Sequence, residues 1–238
     1  RVGESAGKMY GFVYDGTYKE EDFNITVNEN GKKTYELKPG VPKFKDGCQP
    51  GDPKYKNIDG SEDNLITDND RTVIGNGHPL HTGGFTNNFV YKNWDLNIFL
   101  QWSYGNDVFN VNRLVMENPG AKKQLNQFAS YKNRWSESNP TSNIPRVRAV
   151  GADEYSSLYV EDGSFLKLKT ISLGYNFDTK TLKRIGLSAA RVFVSAENIA
   201  TITGYSGSDP EVSTRHSVLT PGFDWSAYPR AFNASLGV

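Results

Sequence analysis

The sequence is poor in the residues that carry redox, metal and nucleophilic chemistry. Its one cysteine, Cys48, sits in a Gly-Cys-Gln-Pro turn. It has no partner for an intrachain disulfide and no histidine near it in sequence to act as a base, so it reads as a bystander thiol. Histidines number three, His78, His81 and His216. The first two are close in sequence, but no third ligand accompanies them, which argues against a zinc site. Net charge is zero, which removes the basic footprint that nucleic-acid binding needs. No stretch approaches the ~18 apolar residues of a membrane helix. A membrane β-barrel stays open, because its strands alternate and score weakly in hydropathy. The opening Arg1-Val2-Gly3-Glu4 lacks the charged start and apolar run of a signal peptide and reads as the middle of a longer chain.

Aromatic residues are plentiful: they make up 13% of a chain whose mean hydropathy is −0.60. Disordered chains are poor in aromatics, whereas strands with one apolar and one wet face need this mixture. The cleanest alternation runs from Trp94. Trp94, Leu96, Ile98, Leu100, Trp102 and Tyr104 fall on one face, with Asp95, Asn97, Phe99, Gln101 and Ser103 on the other. A strand of about 11 residues with aliphatics between aromatic ends matches an outer-membrane strand, which needs 9–11, and is long for a soluble sandwich strand. Phe85, Asn87, Phe89 and Tyr91 alternate just before it. Three more strands are predicted. Ser164 to Phe177 carries Ile171, Leu173 and Tyr175 on one face. Arg191 to Asn198 carries Val192 and Val194. Arg230 to the end carries Phe232 and Leu236. Charged residues on the opposite faces are costly in a sandwich core and ordinary in a wet barrel lumen.

The rest is turn-rich. Met9 to Tyr18 predicts a strand with a glycine bend, and residues 19–70, full of Asp, Asn, Lys, Gly and Pro, predict a long exposed excursion. Residues 119–138 predict a short amphipathic helix, with Pro119 at its start, Leu125, Phe128 and Trp135 at helical spacing, and Asn139-Pro140 at its end.

Several segments, in this order, resemble the C-terminal region of SusC/RagA-type TonB-dependent receptors of Bacteroidetes. They are Gly51-Asp52-Pro53-Lys54-Tyr55-Lys56; Asp70-Arg71-Thr72-Val73-Ile74-Gly75; Tyr91-Lys92-Asn93-Trp94-Asp95-Leu96; Tyr104-Gly105-Asn106-Asp107; Arg134-Trp135 with Ile144-Pro145-Arg146; Tyr159-Val160-Glu161-Asp162-Gly163-Ser164; Ile171-Ser172-Leu173-Gly174-Tyr175; Glu197-Asn198; Tyr205-Ser206-Gly207; Asp209-Pro210-Glu211; and Asp224-Trp225 with Tyr228-Pro229-Arg230. The resemblance implies an all-β fold: the C-terminal strands of a large transmembrane antiparallel β-barrel of about 22 strands, with long extracellular loops and one short loop helix. Residues 1–82 would be an extracellular loop region with an Asp-rich turn, and residues 83–238 the barrel strands and their loops. It implies outer-membrane import of oligosaccharide or peptide, a SusD-like surface lipoprotein as partner, coupling to the TonB complex through an N-terminal region not in this sequence, and no enzyme activity. Family members tend to end on an aromatic residue, so the stop at Val238 implies a residue or two more. Five or so strands cannot close so wide a barrel, and the isolated chain is expected not to fold stably. The alternatives are a soluble secreted β module binding glycan or calcium, and, more remotely, a β-rich hydrolase using paired carboxylates among Asp162, Asp209, Glu211 and Asp224.

The strongest chemical constellation is Asp59 to Asp70. Counted from Asp59, side-chain oxygens from Asp59, Ser61, Asp63, Thr67 and Asp70 fall at positions 1, 3, 5, 9 and 12, with the Leu65 carbonyl at 7. This is calcium-loop spacing and resembles the dockerin version, so calcium is the one cofactor anticipated, though none is required. Trp135, Tyr155 and Tyr205 are loop aromatics placed either to stack on a ligand or clasp a partner, or to pack their own loops.

Overall fold

The computed structural model describes residues 3–118, 125–211 and 220–238. Six short strands come first: β1 (Lys8–Gly11), β2 (Tyr14–Thr17), β3 (Phe23–Val27), β4 (Lys33–Leu37), β5 (Pro53–Tyr55) and β6 (Thr72–Asn76). The long strands β7 (His81–Tyr91) and β8 (Trp94–Tyr104) follow. Next are β9 (Asp107–Asn110), helix α1 (Val111–Met116), β10 (Val160–Asp162), β11 (Phe165–Asn176), helix α2 (Thr179–Lys183), β12 (Arg191–Thr203), β13 (Phe223–Asp224) and β14 (Asn233–Gly237). The main sheet has the order β14-β12-β11-β8-β7, all antiparallel. It is open, with β7 and β14 as its edges.

The alternation read from sequence becomes a two-faced wall because the register aligns it. Phe89, Leu96, Leu173, Val194 and Leu236 form one row across all five strands, and Asn87, Ile98, Ile171, Ala196 and Ala234 form the next. Tyr91, Trp94, Tyr175 and Val192 close one end of this face. Trp102 and Tyr104, with His81 stacked on Tyr104, close the other. A bulge keeps the pattern intact. Lys169 is an extra residue in β11 relative to β8, so Leu168 before it and Ile171 after it share the apolar face although their numbers differ in parity. No member of the predicted belt is buried: Trp94, Tyr104, Leu173, Val194 and Leu236 are among the exposed large apolar residues. Strands of about 11 residues, tilted as barrel strands are, carry a band roughly 25 Å tall. No helix among the described residues is long and apolar enough to cross a membrane, which says nothing of a β-barrel.

At one end β7 and β8 are joined tightly, while β11 and β12 are joined through residues 177–190, which carry α2. β7 and β8 turn over Lys92-Asn93, with Lys92 at φ 53°, the left-handed backbone a two-residue hairpin needs at its first central position. At the other end the loops are long and carry all the remaining strands. Small apolar cores hold this cap together: Phe12, Tyr55 and Ile66; Tyr18, Phe23 and Cys48; Phe109, Val111 and Tyr159. The excursion over residues 19–70 is therefore folded, with β3 and β4 as a hairpin. The cap also draws on both sides of the expected boundary at residue 82, because Phe12 N–H donates to the Tyr155 carbonyl and Ser157 N–H to the Phe12 carbonyl.

Three sequence expectations are corrected. The helix over 119–138 is absent from its described part; residues 119–124 lie outside the described residues. Only a 3-10 turn forms, at Ala129–Asn133. Trp135 N–H donates to the distant Ile144 carbonyl, while the Asn139 amide and Ser142 hydroxyl take the Asn133 carbonyl, so local side chains and a tertiary partner claim the groups a helix would use. Two short helices stand in the connections instead of the one expected, α2 and α1, the latter capped by the Asn110 side chain accepting from Arg113 N–H at 3.1 Å. The last strand begins at Asn233 rather than Arg230, leaving Phe232 of the expected belt outside it. β12 runs on to Thr203, five residues beyond the expected Asn198.

Candidate functional site

The cap is assembled from side chains that sequence separates widely. Asp52, fully buried, accepts from Gln49 and Val150 N–H and pairs with Arg146, Nε to Oδ1 2.7 Å. Burial pushes its carboxyl up, against the opposing pull of the Arg146 guanidinium and these N–H groups. Arg146 N–H donates to the Gly51 carbonyl, and Gly51, at φ +88°, leaves no room for a Cβ beneath the Trp135 ring. Three motifs quoted separately above thus meet at one point. A second junction joins Gly105 N–H to Ser164 Oγ at 2.9 Å and Gly163 N–H to the Asn106 carbonyl at 2.8 Å.

A third junction fastens the loop after β12 to the polar face of the wall. Lys167, only 2% exposed, donates to Glu211 Oε2 at 2.7 Å and to Asp209 Oδ1 at 3.3 Å. Lys169 reaches Glu211 at 3.2 Å, and Arg230 Nε lies 3.4 Å from it. Burial alone would push the Asp209 carboxyl up, but the N–H groups of Glu211 and Arg230 and the Lys167 ammonium outweigh it and hold it low. Glu211 is likewise held low against burial by Lys167 and Lys169.

Beside α1 lies an open cavity of about 730 Å³. Its walls are α1, the turn at 128–130, Glu161 of β10, residues 206–208 and residues 224–229. Arg113 is spent on two carboxylates, Nε to Glu117 at 3.1 Å and Nη1 to Glu161 at 3.0 Å. Glu161 also accepts from the Ser206 N–H and hydroxyl, which with Arg113 overcome burial and hold its carboxyl below the usual range. Asp224 accepts from Tyr205 Oη at 2.5 Å. Ser130 donates to Glu117 Oε1 at 2.7 Å.

The structure commits the carboxylates of the hydrolase alternative to structural partners. Asp209 and Glu211 share Lys167, Asp162 accepts from Ser164 N–H, and Asp224 holds Tyr205. Of the loop aromatics, Tyr205 is buried, Trp135 packs over Gly51, and Tyr155 lies against Phe109 with ring centroids 5.3 Å apart. Each thus touches a segment distant in sequence, Tyr205 through its hydrogen bond to Asp224, and Tyr155 stays 47% exposed. Reading from sequence missed Tyr228 and Phe128, which border the cavity; Tyr228 is 90% exposed.

In the Asp59–Asp70 loop the oxygens serve the loop's own backbone. Asp70, fully buried, accepts from Ile58, Asp59 and Thr67 N–H at 2.7, 3.1 and 2.8 Å. Asp59 accepts from Ser61 N–H, and Asp63 from Leu65 N–H and the Ser61 hydroxyl. Among the described residues, no three His, Cys, Asp or Glu side chains gather as a metal site requires. His81 Nδ1 accepts from Trp102 Nε1 at 3.2 Å, His78 N–H donates to Asn76, and His216 lies outside the described residues. Cys48 is buried, its thiol pushed up by that burial and donating to the Lys45 carbonyl at 2.8 Å.

No family model matches the chain. Full-length relatives do. TonB-dependent receptor P3 of Formosa agariphila is 33% identical over 243 residues, covering 100% of this chain and 22% of that protein. TonB-dependent receptor SusC of Bacteroides thetaiotaomicron is 30% identical over 160 residues, covering 65% of this chain and 14% of that protein. In fold, the chain matches a structure of the RagAB peptide transporter with TM-score 0.66 and 22% identity, over 96% of this chain and 22% of that one. The chain thus spans about a fifth of the length of the first of these relatives. Its sequence and its fold together place it in the SusC/RagA-type TonB-dependent receptors.

Proposed function

We propose that the receptor containing this chain imports a nutrient, oligosaccharide or peptide, across the outer membrane, and that this chain supplies part of the barrel wall and of the loop cap over it. The observation that carries the reading is the two-faced sheet: apolar rows continuous over five strands, backed by a face bearing Asp95, Arg191, Lys167 and Glu197. Hydrocarbon outside and water inside is the environment that makes both faces favourable at once. Among the described residues, the strands and helices packed extensively against the long strands are their sheet neighbours, as expected of a wall rather than half of a sandwich.

The partners follow from the relatives. The RagAB structures are of a peptide transporter or importer, and the curated relatives are TonB-dependent. We assign to this receptor a SusD-like surface lipoprotein seated over the loop cap, and energy coupling through TonB at another part of the longer protein. Its mechanism is binding and passage, with no bond made or broken, so the reading is of a transporter and not of an enzyme.

The test is uptake. Cells lacking the whole receptor should lose growth on its nutrient, and loss of TonB should have the same effect. Growth and binding that persist without TonB would overturn the reading. Single cysteines at Leu96 and Leu173 should be reached by a lipid-phase quencher, and those at Ser172 and Asn97 by an aqueous one.

A further inference from the structure

We infer that the connection between β11 and β12, residues 177–190, is a binding surface for anionic phospholipid headgroups. The inference rests on the barrel reading above and adds a ligand to it.

The connection lies at the end of the wall where the turns are short, which in outer-membrane barrels is the periplasmic end. There the apolar face finishes in touching rings. Trp94 lies against Tyr175 with centroids 4.8 Å apart, and Tyr175 meets Phe177 edge to face at 5.1 Å. Phe177 belongs to the connection itself, its N–H donating to the Ala190 carbonyl. Rings of the kind that mark a membrane–water interface therefore run directly into residues 177–190. β11 and β12 are interior strands of the sheet, flanked by β8 and β14, so this chain's own strands border the connection on both sides.

The backbone of the connection is held by its own hydrogen bonds. Asp178 opens α2 by accepting from Lys180 N–H at 3.3 Å. Gly186, at φ +78°, closes it. Its N–H donates to the Lys183 carbonyl and Leu187 N–H to the Leu182 carbonyl, the paired bonds of a glycine-terminated helix. Leu182 is buried, whereas Ile185 and Leu187 are left 68% and 48% exposed. Two aliphatic side chains thus stand out from a short, ordered segment beside the aromatic end of the wall.

Charge identifies what receives them. Lys180, Lys183 and Arg184 stand at i, i+3 and i+4, share one side of α2, and are all exposed. No ion pair among the described residues occupies any of the three. Asp178 is the single carboxylate between residues 177 and 190, and it caps the helix. Lys92, in the neighbouring turn, adds a fourth cation above the Tyr91 ring at 5.3 Å. Lys183 and Arg184 also suit a helix C-terminus, but that explains neither Lys180 nor the exposed Ile185 and Leu187. Aliphatic side chains set among cations match a layer of anionic headgroups over acyl chains, where the chains take Ile185 and Leu187 and the phosphates take the cations.

The experiment uses the intact receptor in phosphatidylcholine vesicles. A fluorophore is placed on Ile185→Cys in a receptor freed of other reactive cysteines, and quenched by trace lipid carrying a shallow nitroxide, either phosphatidylglycerol or phosphatidylcholine. One cation beside an anionic surface is worth about fivefold in association, so labelled phosphatidylglycerol should be at least about fivefold more effective. Replacing the three exposed cations together, Lys180→Gln, Lys183→Gln and Arg184→Gln, should equalise the two lipids. A fluorophore on Leu173→Cys, on the wall, should be quenched equally by both lipids before and after that change. The inference is overturned if the two lipids quench at Ile185 equally in the parent, or if the triple variant keeps the preference. It is also overturned if Ile185 is reached only by aqueous iodide, or by no quencher at all, which would place a protein there. Lipid quenching at Leu173 without any at Ile185 would remove this surface and leave the barrel reading standing, whereas no lipid quenching at Leu173 would remove the barrel reading itself.

Discussion

Arg191 of β12 reaches across the full width of β11 to Asp95 of β8, its Nη2 2.6 Å from Asp95 Oδ2, and the residue at the crossing is Gly174. A Cβ at Gly174 would collide with both the guanidinium and the carboxylate. The glycine is thus a gap in the polar face through which two non-adjacent strands are tied, with the Asn176 amide as a further donor to Asp95 at 3.0 Å. Glycines elsewhere in the sheet are covered in the same manner: Trp102 lies over Gly83, Phe99 over Gly84 and Phe193 over Gly237.

The gap at Gly174 makes a first prediction. Gly174→Val should destabilise the intact receptor by about 1–3 kcal/mol through overpacking. Asp95→Asn, which weakens a pair whose side chains are 42% and 32% exposed, should cost under about 1 kcal/mol. Urea unfolding in detergent distinguishes the two, and equal losses would show that the ion pair rather than the space is what matters.

The apolar face makes a second. Leu173→Arg should cost about 2–4 kcal/mol in a bilayer if the residue sits near the midplane, whereas Ser172→Arg, one residue along and on the lumen side, should be near neutral. Unfolding from lipid vesicles measures both. A reversed order would mean the faces are assigned the wrong way round.

The Lys167 clamp predicts a pH dependence. Asp209 and Glu211 are held below their ordinary range in the folded chain. A lowered folded value means that the ionised carboxylates stabilise, fully above the ordinary range near pH 4, and that this is lost as pH falls below it. Hydrogen-exchange protection at residues 204–211, taken relative to the intrinsic rate at each pH, should fall below about pH 4 and stay flat between 5 and 8. Lys167→Met should release the same segment at neutral pH, leaving two carboxylates without their buried partner at a cost of about 3–5 kcal/mol. Unchanged exchange in that variant would show that the loop is held by other contacts.

The Asp59–Asp70 loop supplies the fourth. With Asp70 accepting three backbone N–H groups, Asp70→Ala should destabilise the cap by roughly 3 kcal/mol or more with or without calcium. Calorimetric titration with calcium should give no heat. A heat of binding that vanishes in Asp59→Ala and Asp70→Ala would instead show a calcium loop.

Much of this molecule was legible in the order of its residues, and the limits of that legibility are physical. Trp94 to Tyr104 was readable because a strand alternates every residue, so the polarity of each side chain reports its face without reference to the rest of the chain. The helix expected at 119–138 failed because the same local reasoning could not see Ile144 taking the Trp135 N–H. Helix α1 had a cap signal in Asn110, but at six residues it was too short for periodicity to register. The calcium spacing fixes the order of the oxygens along the chain, yet spacing cannot say whether an oxygen faces a cation or a backbone N–H.

What sequence determined by itself was the zigzag: which residues are apolar, how long each run lasts, and where Gly, Asn and Pro break it. Those are properties of neighbours one or two residues apart. What only the tertiary structure decided was every pairing across distance: Arg191 with Asp95, Lys167 with Asp209 and Glu211, Tyr205 with Asp224, and the Lys169 bulge that keeps two halves of β11 facing the same way. Those depend on register and on closing loops of tens of residues, and the energy that chooses among such closures comes from burial and charge compensation that exist only once the chain has folded.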